Sequence, residues 1–195
     1  MKEQADKSNR KQIKEPVILA ISSGREFEKF MDSPISGCVL MNLHLSMVGA
    51  FVEKAHSSGK QIYLHIDLIK GITADEAGCE FVCQVLGVDG IISTKGKVVE
   101  TAKRLKKIAI LRMFLIDTQS LNKGKKMIGE LQPDYVEVLP GIACSILPKI
   151  KEETGADFLC GGLIDSAEQI AECLKQGAVA VTISNREEAE KFFML

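Results

Sequence analysis

The chain has no tryptophan and two tyrosines in 195 residues. An aromatic platform for stacking single-stranded nucleic acid is therefore not evident. No run of about 18 apolar residues occurs, so a membrane-spanning helix is not expected. No apolar run follows the charged opening Met1–Lys7, so a secretory leader is not expected either. The formal net charge is -1, from 25 Lys and Arg against 26 Asp and Glu. That excludes a protein that holds polyanions by global charge alone, and any nucleic-acid site must be a local patch. No C-x-x-C pair is present. Cys38, Cys79, Cys83, Cys144, Cys160 and Cys173 sit largely in apolar runs and read as reduced, buried thiols rather than metal ligands. No G-x-G-x-x-G follows the first apolar run, which weighs against a dinucleotide site.

What is present is an ordinary globular composition, 46% hydrophobic and 26% charged, long enough for one domain with a real core. Residues 1–15 are polar and read as a mobile tail, with residues 16–195 as a single domain. From Pro16 onward, short β-branched runs alternate with amphipathic helical patterns. The runs begin at Val17, Cys38, Ile62, Gly90, Ile108, Tyr135, Phe158 and Val179. Gly59, Gly87, Gly155 and Gly177 each stand just ahead of a run, where a helix should stop. Asp165 with Glu168 and Ser184 with Glu187 read as capping boxes. Strands alternating with helices imply parallel pairing, and eight units with none spare imply a compact (β/α)8 TIM-type barrel with short loops. An open doubly wound sheet is the alternative.

In such a barrel the chemistry belongs at the C-terminal ends of the strands. The polar residues that collect there are His65 and Asp67, Ser93, Thr94 and Lys95, Arg112 and Asp117, Glu137, Gly161 and Gly162, and Ser184 and Asn185. Glycines let backbone amides approach a ligand, and helix starts after the seventh and eighth strands favour anions, so Gly161, Gly162, Ser184 and Asn185 fit a phosphate. They fit a tight turn and a helix cap equally well. His65 and Asp67 are two apart and share a strand face. Arg112 and Glu137 should both point into the barrel, where a lone charge is very costly, so each is expected to pair with the other or with a ligand. Lys95 could neutralise a phosphate, and it could also be plain solvated surface. Lys97, Lys103, Arg104, Lys106, Lys107, Lys123, Lys125 and Lys126 lie on successive units. They would make one side of the barrel positive, which RNA could use through its phosphates and which is equally read as solvated surface.

Several motifs occur together and in order: His65-Ile66-Asp67-Leu68-Ile69-x-Gly71, Asp89-Gly90-Ile91-Ile92-Ser93-Thr94-Lys95, Phe114-Leu115-Ile116-Asp117, Pro133-Asp134-Tyr135-Val136-Glu137-Val138-Leu139-Pro140-Gly141, Gly161-Gly162-Leu163-Ile164, and Gly177-Ala178-Val179-Ala180-Val181-x-x-Ser184-Asn185. In combination they resemble the glycerol-3-phosphate-responsive antiterminators over residues 16–190. The resemblance implies a cytoplasmic bacterial regulator on a (β/α)8 barrel, with no catalysis, cofactor, metal or membrane partner. Its partners would be glycerol 3-phosphate and the leader mRNA of glycerol-utilisation genes, and binding would prevent premature transcription termination. Gly141 joins the expected ligand set with this resemblance. The oligomeric state is open, and an oligomer is compatible with everything above. Two other readings use the same residues. One is an isomerase, epimerase or lyase acting on a phosphorylated metabolite, with His65, Asp67 or Glu137 as acid or base. The other is a sensor acting through a protein partner.

Overall fold

A computed structural model describes residues 12–194. Eight strands alternate with eight α-helices: β1 Val17–Ile21, α1 Gly24–Met31, β2 Gly37–Leu40, α2 Leu45–Ser57, β3 Gln61–His65, α3 Glu76–Gln84, β4 Gly90–Ser93, α4 Gly96–Arg104, β5 Ile108–Phe114, α5 Thr118–Leu131, β6 Tyr135–Leu139, α6 Leu147–Thr154, β7 Phe158–Gly161, α7 Ala167–Lys175, β8 Ala178–Ile183 and α8 Arg186–Phe192. All pairings are parallel, each strand beside the next, and β8 closes onto β1. The expected closed barrel is the observed fold. The open sheet is not.

Strand alternation sorts the apolar residues into two cores. Inward-facing Ile18, Val39, Tyr63, Ile92, Ile108, Ile110, Leu159 and Ala180 fill the barrel. The outward-facing residues join the helices in a larger continuous core. Burial on both faces is why the strands read as unbroken apolar runs. The four stop glycines Gly59, Gly87, Gly155 and Gly177 all have positive φ, from 67° to 95°, a conformation that a side chain would strain. All six cysteines are free and buried.

The packed chain starts earlier than Pro16. The Gln12 carbonyl accepts from Gln61 at 3.2 Å, the Glu15 carboxylate accepts from the Ser36 amide at 3.0 Å, and Ile13 packs under the barrel interior. Residues 12–15 thus plug the base of the barrel, where Ile13 covers apolar side chains that water would otherwise reach. The rest of the expected mobile tail, residues 1–11, lies outside the described residues. The two expected capping boxes are instead simple N-caps, each one residue later. Ser166 caps α7 by accepting from the Gln169 amide, and Asn185 caps α8 by accepting from the Glu188 amide. Among the described residues no helix is long and apolar enough to cross a membrane.

At the base, Lys60 spreads its ammonium over the carbonyls of Phe30, Ser33 and Ile35 at 3.1, 2.7 and 2.7 Å. It also lies 4.6 Å from the centroid of the Phe30 ring. Lys60→Met keeps the apolar stem and strands three carbonyls. It is expected to lower unfolding stability by about 2 kcal/mol in urea denaturation, since bonds to a charged donor are worth about 1.5–3 kcal/mol.

A buried charged layer at the mouth of the barrel

The strands end on a layer of polar side chains above the apolar filling. Arg112 and Glu137 are register partners on β5 and β6. Their side chains are 15% and 3% exposed, and Arg112 Nη1 lies 3.3 Å from Glu137 Oε2. The pairing expected between them is observed, but its geometry is poor. Glu137 Oε2 and Arg112 Nε are both buried with no hydrogen-bond partner among the described residues. Glu137 Oε1 is better served, accepting from the Thr182 hydroxyl on β8 at 2.7 Å. Burial pushes the Glu137 carboxyl above its ordinary value, against the opposing pull of Arg112 and Thr182. His65 ends β3, 2% exposed, and its Nδ1 is the third buried polar atom without a partner. Burial first, then the Arg112 charge, pulls the imidazole down to about 4, so it is neutral at pH 7.

Gly161 makes the layer possible. A Cβ there would stand 2.3 Å from Thr182 Oγ1 and 2.8 Å from Glu137 Oε1. The next loops are tied to one another: the Gly141 amide donates to the Gly162 carbonyl at 2.9 Å and the Leu115 amide to the Leu139 carbonyl at 2.7 Å. Beside β1 and β8 a cleft of about 240 Å³ is lined by Leu19, Ala20, Ile21, Glu26, Lys29, Ser184, Asn185, Arg186 and Glu187. Ala20 is the inward residue above Ile18, whose register partner is Thr182, so the cleft reaches the mouth.

Other expected site residues have structural work. Asp67 does not share a strand face with His65. The strand stops at His65, and Asp67 sits on a 3-10 turn, Ile66–Leu68. Its carboxylate accepts from Ser93 Oγ at 2.6 Å, the Thr94 amide at 2.8 Å and Thr94 Oγ1 at 2.9 Å. Lys95 donates to the Ala74 carbonyl at 2.9 Å, so its ammonium braces the loop after β3. Asp117 caps α5 in a reciprocal box with Ser120, and the Ser120 amide holds its carboxyl below the ordinary value. Asn185 is a cap, and Ser184 lines the cleft. Sequence reasoning passed over Thr182 and Lys29. Thr182 had a readable signal, a lone hydroxyl at an inward position of an apolar strand. Lys29 had none, because it lies on α1, far in sequence from the other cleft residues.

The eight cations expected to form one positive side are mostly engaged. Lys103 caps the end of α5 through the Leu131 and Gln132 carbonyls. Arg104 pairs with Glu80, Lys97 with Glu100, Lys125 with Glu153 and Lys126 with Glu130. Lys107 donates to the Gly87 carbonyl. The ammonium groups of Lys106 and Lys123 have no partner among the described residues. Because α4 runs antiparallel to the strands, Lys97 is near the mouth, while Lys103, Arg104, Lys106 and Lys107 are at the base.

A (β/α)8 barrel carries its binding chemistry at the C-terminal mouth, and here that mouth holds buried, incompletely bonded charges. The chain belongs to the glycerol-3-phosphate responsive antiterminator family, whose model matches residues 17–187. The crystal structure of the glycerol uptake operon antiterminator regulatory protein of Listeria monocytogenes matches with a TM-score of 0.85 and 35% identity, over 89% of this chain and 94% of that one. A glycerol uptake operon antiterminator-related protein of Thermotoga maritima matches with a TM-score of 0.75 and 27% identity, over 89% and 97%. YgcP of Escherichia coli is 28% identical over 170 residues, 87% of this chain and 89% of its own.

Two outcomes follow for the layer. Gly161→Ala should lower stability by about 1–3 kcal/mol through overpacking. Combining it with Thr182→Ala, which removes the nearest clash, should cost less than the sum of the two single changes, as a double-mutant cycle would show. His65 has a folded-state pKa below its unfolded one, so its contribution is complete above about pH 6.5 and is lost as pH falls towards 4. Between pH 7 and pH 4, His65→Gln should lose roughly 2–3 kcal/mol less stability than the unaltered chain in paired denaturation curves.

Proposed function

We propose that this chain is a regulator that binds glycerol 3-phosphate at the barrel mouth and, so loaded, binds the leader mRNA of glycerol-utilisation genes and prevents premature termination. Membership of the family supports the ligand and the response. The observation that carries the site is the buried layer of Arg112, Glu137 and His65, with three polar atoms that the protein itself leaves unbonded. A buried unbonded polar group costs about 1–3 kcal/mol, and a small ligand with one anionic end and hydroxyls supplies the missing partners. In this reading its phosphate would enter beside the loops that carry Gly141, Gly161 and Gly162 and Ser184–Asn185.

The role is regulatory rather than catalytic. RNA contact would fall to the cations of α4 and α5 through phosphates rather than stacked bases, given the scarcity of aromatics. A role on nascent mRNA would put the protein in the cytoplasm.

Melting with and without glycerol 3-phosphate is the first test, with glycerol, inorganic phosphate and other sugar phosphates as controls. At about 100 times its dissociation constant, a ligand adds roughly 2.7 kcal/mol. A shift selective for glycerol 3-phosphate is expected, together with leader-RNA binding that strengthens when it is present. Reversing Lys103, Arg104, Lys106 and Lys107 to Glu should weaken RNA binding and flatten its salt dependence without changing the melting shift. A larger shift with another sugar phosphate, or RNA affinity indifferent to ligand, would refute the proposal.

A further inference from the structure

We infer that the Arg112–Glu137 pair is a lock that the ligand opens by exchange: the ligand's phosphate takes the Arg112 guanidinium, and a hydroxyl of the same molecule donates to the Glu137 carboxylate that is left behind. This rests on the reading of the mouth as the ligand site and extends it to a ligand class, phosphomonoesters carrying a hydroxyl donor a few atoms from the phosphorus.

A buried ion pair offsets the desolvation of its charges only when its geometry is good and the remaining lone pairs and protons are bonded. Here neither condition is met. The Nη1–Oε2 separation is 3.3 Å, and Oε2 has no hydrogen-bond donor. Nε of Arg112 is also unbonded, and the guanidinium carbon lies 5.5 Å from the centroid of the Phe114 ring, which is 48% exposed at the rim. Arg112 therefore already lies against a ring on the mouth side, and its planar fork suits a phosphate better than it suits Glu137 as now placed.

Glu137 has no such freedom. Thr182 holds its Oε1, and Gly161 leaves just enough room for it. Once Arg112 turns to a phosphate, Glu137 keeps a buried carboxylate oxygen that needs a donor. The phosphate dianion of a simple alkyl ester has no O–H to donate, whereas a hydroxyl on the ligand's carbon chain does. The neutral His65 offers Nδ1 for one more hydrogen bond in the same layer. The cost of stranding Glu137 is thus what separates a phosphorylated polyol from a simple alkyl phosphate.

The experiment is calorimetric titration of the full chain and of Glu137→Gln with glycerol 3-phosphate, ethyl phosphate and inorganic phosphate. The unaltered chain should favour glycerol 3-phosphate over ethyl phosphate by at least about a hundredfold, because a site built to bond a hydroxyl rejects an analogue that lacks it. Glu137→Gln removes the charge that would be stranded, so ethyl phosphate should bind at least about tenfold more tightly than to the unaltered chain, while its gap to glycerol 3-phosphate narrows. Arg112→Met should abolish binding of all three with the circular dichroism spectrum unchanged. A purely structural role for Glu137 would give no such gain. If Glu137→Gln does not fold, Glu137→Met is the second variant, with the same gain expected. Unchanged or weaker ethyl phosphate binding in the folded variant would overturn the exchange and leave the ligand site standing. If the unaltered chain binds another phosphomonoester but not glycerol 3-phosphate, the ligand assignment falls and the exchange does not. Binding of no phosphomonoester at all overturns both.

Discussion

The Glu137 carboxylate is the constraint around which the mouth of this barrel is arranged. It is fixed by register opposite Arg112 and lies over an interior made of Ile, Val, Leu and Tyr side chains. A charge in that position has to be matched from every side. Thr182 supplies a hydroxyl from β8, Gly161 gives up a side chain on β7, and Arg112 supplies charge from β5. His65 is kept neutral by burial and by the Arg112 charge. Three strands thus answer to one carboxylate, and the answer is incomplete, because Oε2 remains without a hydrogen-bond donor.

The helices explain why much of the polar sequence at the mouth does something else. Each helix starts where a strand has just ended, so helix N-termini crowd the functional face. Their first amides need acceptors, and Ser23, His44, Asp75, Asp117, Ser166 and Asn185 supply them. Asp67 is spent in a comparable way on the loop after β4. A polar residue at the end of a strand in this fold is therefore ambiguous between ligand contact and cap. Side-chain partners resolve it, and spacing does not.

The same distinction sets how much was legible in the sequence. The eight strands were plain because burial on both faces writes apolar runs, and glycine stops mark the helix ends. Arg112 and Glu137 were legible as a pair because a charge inside such a run needs a partner. Thr182 was overlooked because a hydroxyl in an apolar strand is cheap enough to pass as ordinary. The cap positions were misread by a single residue, since a box pattern of Asp or Ser with Glu three residues later does not say which residue holds the extended conformation. The basic stretch from Lys95 to Lys107 looked like one field in the linear sequence. The antiparallel course of α4 carries its C-terminal cations to the base of the barrel, and acidic residues of α3, α6 and α5 pair with Arg104, Lys125 and Lys126.

The quality of the ion pair also bears on what kind of protein this is. An enzyme benefits from charges held ready for the transition state, and a pair that must first be broken consumes binding energy that could have lowered a barrier. A regulator has the opposite need. Its ligand acts only through differential affinity for two arrangements of the protein, so an arrangement that binding must undo is the source of the signal. A well-bonded Arg112–Glu137 pair would resist the ligand, and an absent one would leave nothing to switch. A buried pair at 3.3 Å with unbonded atoms on both partners lies between those limits. Under the exchange proposed above, it is the pair that a small anion with a hydroxyl would replace.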